Sequence, residues 1–330
     1  MVLGAGGVLG GAWTTGTLEV LQSELRVELG KAEIIVGTSA GSVLAAGLRC
    51  GLTIADFAAV QRGDCPAWVP SLAVAHLCGS LIPPLPQLRL GSPRLLLTAA
   101  RAPGSVHPWV IASACLPLGR RSHHVLEAAV RQMIAAAAQD KHGRRRSSSE
   151  GRIWPTAGQT WIVAVDYDSG SPVAFGRRDA PAASLPDAVV ASCSIPGWFK
   201  PTVIGDRHYV DGGVRSPASA DLLVGAELDE VYVLAPAAGS AEGVTRNPWA
   251  WPGHRVRAAM TSALHREVSA LRSTGTAVVV LTPARDDLAA MGINPMDHAR
   301  AREVYETALT TSARSLRQAR SKSSMAAGAA

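Results

Sequence analysis

Residues 32–51 read AEIIVGTSAGSVLAAGLRCG. An apolar, β-branched run at 32–37 leads directly into a serine held between glycines. An alanine- and leucine-rich run with helical character follows and ends at Gly51. A strand that turns at once into a helix has no hairpin partner. Its neighbours must be parallel and reached by crossover connections. A similar unit comes before it. MVLGAGG reads as a short strand entering a glycine loop, and WTTGTLEVLQSELRVEL then places Leu18, Leu21, Leu25 and Leu29 on one helical face. The first fifty residues therefore predict a β-loop-α-β-turn-α unit, and with it a parallel sheet flanked by helices.

Further along, residues 53–123 read as irregular and proline-rich. VLEAAVRQMIAAAAQ (125–139) predicts a helix, and the hydrophilic stretch 140–160, with KHGRRRSSSEG, predicts an exposed loop. WIVAVDY (161–167) and PVAFG (172–176) form strands joined through DSGS. LPDAVVASCS (185–194) is a helix stopped at Ile195-Pro196-Gly197, and HYVDGG (208–213) is a short strand running into a turn. EVYVLAP (230–236) and TAVVVLTP (276–283) have the composition of buried strands. Helices at 255–273 and 296–320 close the chain. We divide it into an α/β domain over 1–285, within which 53–158 is a variable cap or insert, and a C-terminal helix with a flexible basic tail over 286–330.

A chain of 330 residues has ample material for a large core. Its five cysteines are scattered and form no C-x-x-C pair, so neither a disulfide framework nor a metal site is expected. A reducing, cytoplasmic setting fits that usage. The net charge of +6 suits contact with an anionic membrane surface better than nucleic acid, because basic and aromatic residues do not interleave. The apolar opening lacks a basic flank and carries the glycine loop, so it is not read as a signal peptide. The charge-free run 65–88 is long enough to span a bilayer, but it holds Pro66, Pro70, Pro83, Pro84 and Pro86, which a lipid-exposed helix would not accommodate.

Three elements bear on chemistry. Ser39 lies in G-x-S-x-G between a strand and a helix, the context of a nucleophile elbow, with Gly37 and Gly41 relieving crowding at the turn. The same letters also fit a glycine-rich turn with an incidental serine. The glycine loop GAGGVLGG (4–11) can aim the N–H groups of Gly6 and Gly7 above Ser39 as oxyanion donors. A dinucleotide loop is disfavoured, because the third glycine of G-x-G-x-x-G falls on Leu9. Asp211 ends a strand beside Gly212 and Gly213 and is the candidate base. A Ser-His-Asp esterase could be assembled formally from Ser39, Asp211 and His254 or His298. However, only one strand precedes the nucleophile strand, fewer than an α/β-hydrolase carries.

With AGGVLG (5–10), GTSAG (37–41) and DGG (211–213) in this order, and ASCSIPGWFKP (191–201) ahead of the last, the chain resembles the patatin-like phospholipases, lipid acyl hydrolases with a Ser–Asp dyad. The resemblance covers roughly 1–285. It implies a three-layer α/β/α sandwich with a mostly parallel sheet, Ser39 as nucleophile, Asp211 as base and Gly6 and Gly7 in the oxyanion hole. Gly10, Gly37, Gly41, Gly212 and Gly213 support the motifs. It implies no metal and no cofactor, a lipid ester as substrate, and peripheral membrane contact. Two positions depart from the family loop: Ala5 stands where a glycine is usual, and Leu9 where a basic residue is. The proline-rich run 65–118 is expected to form a cap or acyl channel. A non-catalytic lipid-binding relative is the remaining alternative.

Overall fold

The structure is a computed structural model describing residues 1–64, 87, 89–137, 154–239 and 251–327. Its strands are β1 (Val2–Leu3), β2 (Ile34–Thr38), β3 (Gln159–Asp166), β4 (Pro172–Phe175), β5 (Thr202–Ile204), β6 (Arg207–Asp211), β7 (Glu230–Leu234) and β8 (Ala277–Leu281). The helices are α1 (Gly7–Leu25), α2 (Ala40–Cys50), α3 (Ile54–Arg62), α4 (Pro93–Arg101), α5 (Pro108–Ala114), α6 (His124–Ala137), α7 (Leu185–Ser192), α8 (Trp251–Arg272), α9 (Arg285–Met291) and α10 (Ala301–Ala327).

The strands form one sheet in the order β5-β6-β3-β2-β1-β7-β8, with β4 also paired to β3. The pairs β3–β2, β2–β1, β1–β7 and β7–β8 are parallel. The pairs β3–β4, β3–β6 and β5–β6 are antiparallel. The sheet is thus mixed: the crossover units build its parallel half, and two hairpins add an antiparallel edge.

Alternate strand residues divide between two cores, as strand geometry requires. Leu3, Ile35, Ile162, Ala164 and Leu234 face α1, α2, α7 and α10 through Trp13, Leu44, Val189 and Tyr305. Val2, Val36, Val163 and Val233 face the opposite way, onto Leu264, Val268 and Leu271 of α8. The result is an α/β/α sandwich, as expected. A third cluster seats α4 and α5, through Leu95, Val110 and Ala114, on Val165, Tyr167 and Val210.

Several expectations are corrected. Residues 53–123 are not irregular where they are described, because α3, α4 and α5 lie there. Thr53 and Asp56 form a capping box at α3, and Ser92 caps α4 through the Leu95 N–H. Pro93 and Pro108 occupy first-turn positions, where proline starts a helix rather than breaking one. Helix α1 begins at Gly7, not after the glycines, so the loop proper is only residues 4–6. It ends at Leu25, where Arg26 takes a left-handed conformation, and Leu29 is buried from a separate 3-10 turn instead of the helix face. Strand β5 was not foreseen. The last helix starts at 301 after a 3-10 turn at His298–Arg300. The loop expected at 140–160 and the first part of the 65–118 run fall mostly outside the described residues.

The C-terminal helix lies along α1. Thr17 and Ser312 share a buried hydrogen bond of 2.9 Å, and the Tyr305 hydroxyl donates to Glu19 at 2.5 Å while accepting from Arg62 at 2.6 Å. Just ahead of that helix, the Pro295 carbonyl accepts the Leu9 N–H at 2.9 Å. The start of α1 is therefore braced by the chain's end.

Candidate active site

Register brings the serine and the aspartate together. Strand β4 occupies one edge of β3. On the other edge, β2 ends with Thr38 opposite Val163, and β6 ends with Asp211 opposite Ala164. Two strands of opposite direction thus finish on adjacent rows. Ser39 follows Thr38 directly, so both side chains emerge at the same point on the sheet's rim. Gly212 fits this junction because a Cβ there would lie 2.8 Å from the Val163 carbonyl oxygen and 2.9 Å from Thr38 Cγ2.

Ser39 caps α2 with φ 54° and ψ −123°, a conformation that costs a non-glycine residue about 1–3 kcal/mol. Surrounding contacts hold it there. The Ser39 N–H donates to Ser192 Oγ at 2.8 Å, and that hydroxyl donates to the Val163 carbonyl at 2.6 Å. The Ser39 carbonyl accepts from Ser42 Oγ at 2.6 Å and from Cys193 Sγ at 3.4 Å. Gly37 and Gly41 permit the tight approach. A Cβ on Gly37 would fall 2.7 Å from the Gly41 carbonyl oxygen, and one on Gly41 would strike the Leu3 carbonyl.

Asp211 and Ser39 are both buried. The Asp211 carboxylate accepts the Gly213 N–H at 2.7 Å, and the Ser39 side chain lies close enough to stabilise its charge. Burial raises its pKa to about 6, against the lowering effect of the Ser39 side chain and the Gly213 N–H. Its backbone N–H donates to the Ser194 carbonyl at 3.0 Å. The tripeptide Ser192-Cys193-Ser194, at the end of α7, therefore grips the backbone of both residues. Burial, and secondarily the Asp211 charge, push the Cys193 thiol pKa up, so it stays protonated.

The glycine loop borders the same point. A Cβ on Gly213 would lie 2.9 Å from Ala5 Cβ and 3.0 Å from Asp211 Oδ1. Ala5 and Gly4 spend their N–H groups on Pro217 and Leu234 carbonyls, both at 2.8 Å. Among the described residues, none accepts the N–H of Gly6 or Gly7, which open α1. Gly7 has φ 64°, and Gly6 and Gly10 both pack against Pro236. Sequence reasoning missed Ala40, whose N–H opens α2 immediately after the serine and also has no acceptor among the described residues. It missed Ser192 as well. Two helix N-termini thus present uncommitted donors and positive dipole ends near Ser39.

No histidine with a described side chain is bonded to Ser39 or Asp211. His123 stacks on Phe199 at 3.7 Å, and burial lowers its pKa to about 4. His208 pairs with Asp168, His124 with Ser122, and His298 is exposed. The side chain of His254 lies outside the described residues. No cluster of metal-ligating side chains occurs among the described residues, and no helix there is long and apolar enough to cross a membrane. A cavity of about 320 Å³ beside Glu33, Trp161 and Arg177 lies at the opposite, amino end of β2 and β3, away from this site.

Among solved structures, VipD from Legionella pneumophila is similar with a TM-score of 0.40 and 12% identity, over 93% of this chain. The present chain spans 65% of the length of that structure. No curated protein sequence matches. The family model described as patatin-like phospholipase matches residues 1–224, more than half of the molecule, and the chain belongs to that family.

Proposed function

We propose that the protein is a serine acyl hydrolase that cleaves fatty-acyl esters of lipids, of phospholipase A or lysophospholipase type, through a Ser39–Asp211 dyad. Membership of the family carries the hydrolase activity at the coarse level. The observation supporting the finer reading is the buried Asp211 carboxylate, brought by strand register beside a serine in a strained elbow and with its pKa raised to about 6.

In this mechanism Asp211 takes the Ser39 proton as Oγ attacks the acyl carbonyl. The N–H groups of Gly6 and Gly7, joined by that of Ala40, receive the oxyanion, and each such donor is worth about 3–4 kcal/mol of barrier. Asp211 returns the proton to the leaving alcohol. It then draws a proton from water, which attacks the acyl-enzyme and releases the fatty acid. A raised pKa suits both roles, since the group must accept and release a proton near neutrality.

The test is a hydrolysis panel of phospholipids, lysophospholipids and neutral acylglycerols on wild type, Ser39→Ala and Asp211→Asn. Turnover of a lipid ester that both variants lose supports the reading. Turnover that survives in Ser39→Ala overturns it.

A further inference from the structure

The charge of this chain is unevenly placed. Between Asp64 and Glu127 there is no acidic residue at all, while Arg89, Arg94, Arg101, Arg120 and Arg121 fall there. The remainder of the chain holds 27 of its 32 basic residues and all 26 acidic ones, so five of the six net positive charges belong to this one stretch. Large apolar side chains are also exposed in its described part: Leu90, Leu97, Trp109 and Leu116 are each 40–50% accessible.

The fold gathers these residues around two helices. Helix α4 buries Leu95 against Val110 and Tyr167. Arg94, Leu97 and Arg101, spaced three and four apart, then form one outward stripe in which two guanidinium groups flank a leucine. Trp109 is exposed at the start of α5. Among the described residues, the one acidic partner of this stripe is Asp168, 3.7 Å from Arg94, whose side chain remains 73% exposed. Arginine stems and a tryptophan ring suit a boundary where apolar and charged layers meet.

This surface is tied to the rim where the dyad opens. Ser92 Oγ donates to the Tyr167 carbonyl at 2.6 Å, and the Tyr167 hydroxyl donates to the Ser113 carbonyl at 2.7 Å. Tyr167 directly follows β3, three residues beyond the row that carries Asp211. On the other side, the Arg121 N–H donates to the Trp198 carbonyl at 3.2 Å, and the Lys200 N–H to the Arg121 carbonyl at 3.0 Å. Those residues continue from Ser194, whose carbonyl holds Asp211.

We infer that Arg94, Leu97, Arg101 and Trp109, with Leu90 and Leu116, form a docking face for an anionic lipid bilayer, which sets the membrane against the carboxyl-end rim where Ser39 lies. The arginines neutralise lipid headgroups, and Leu97 and Trp109 enter the interfacial layer. The choice of partner rests on the proposed lipid-ester activity, but the binding itself needs no turnover.

The experiment is co-sedimentation of the 330-residue Ser39→Ala protein with phosphatidylcholine vesicles and with mixed phosphatidylcholine–phosphatidylglycerol vesicles. The expected result is preferential binding to the mixed vesicles that weakens with salt. The double variant Arg94→Ala/Arg101→Ala should bind them at least about tenfold more weakly. Leu97→Asp should also lose binding, and both should keep the parent melting temperature because the altered side chains are exposed. Equal binding to both vesicle types overturns the inference, as does unchanged binding by the variants. So does capture by a polyglutamate resin without vesicle binding, which would indicate an acidic protein partner. Vesicle binding by a protein that hydrolyses no lipid ester would leave this face standing while defeating the proposed function.

Discussion

The Ser39 backbone N–H donates to the Ser192 hydroxyl at 2.8 Å, linking the strained turn at Ser39 to a helix 153 positions away in sequence. The Ser192 hydroxyl in turn donates a hydrogen bond to the Val163 carbonyl on β3. The strained φ of Ser39 is thus fixed by a relay between α7 and the sheet. Ser192→Ala leaves a buried donor unpaired and should destabilise the fold by about 1–3 kcal/mol. It should also lower kcat on a soluble ester more than it raises KM, because the damage is to aim rather than to substrate contact. Chemical denaturation and steady-state kinetics check the two parts. Equal kcat in variant and wild type would show that the relay has only a structural role.

Asp211 gives opposite pH signatures for activity and stability. In the proposed mechanism the ionised carboxylate is the base, so kcat/KM should fall about tenfold per unit as pH drops below about 6. For stability, the folded pKa lies above the usual value of 3.8, so the folded state holds the proton more tightly. Stability is therefore greatest below the unfolded pKa and is lost as pH rises through about 6. Asp211→Asn removes that loss. It should be more stable than wild type at pH 8, by a margin of order 2–3 kcal/mol, and nearly equal to it at pH 4. Melting curves at the two pH values test this, and a variant less stable at pH 8 would refute it.

Gly213→Ala tests the contact between Asp211 and the glycine loop. Its new Cβ would press on Ala5 and on Asp211 itself. A shift of about 1 Å in either should cost roughly a hundredfold in kcat/KM. Full activity would mean that the loop can move away freely.

The C-terminal helix should be indispensable to the fold. Ending the chain at residue 285 removes α10 from α1 and uncovers Trp13, Leu18 and Leu21, all buried. It also strips the Pro295 carbonyl from the Leu9 N–H. The truncated protein should aggregate or melt well below the intact chain, measurable by scanning calorimetry.

The legible parts of this site were those written in local chemistry. Glycines at 37 and 41 around Ser39, and at 212 and 213 after Asp211, mark places where backbones nearly touch, and the structure puts both at the rim of β3. The parallel half of the sheet followed from β2 turning at once into α2. The antiparallel edge was harder to read, because β5 has three residues and its place depends on pairing with β6. Helices α4 and α5 were obscured by prolines that mark their beginnings. Ser192 carries no local signal, since a serine at a helix end is common and its partner is set only by tertiary register. Ala40 was missed because a backbone N–H is independent of residue type.

In the proposed mechanism Asp211, not a histidine, activates Ser39. Its most direct test is the rate at which a fluorophosphonate probe labels wild type, Asp211→Asn and His298→Ala, with the modified peptide mapped by mass spectrometry. Labelling is expected at Ser39, with a drop of at least about a hundredfold in Asp211→Asn and no change in His298→Ala. Wild-type rates in Asp211→Asn, or a collapse confined to the histidine variant, would contradict it.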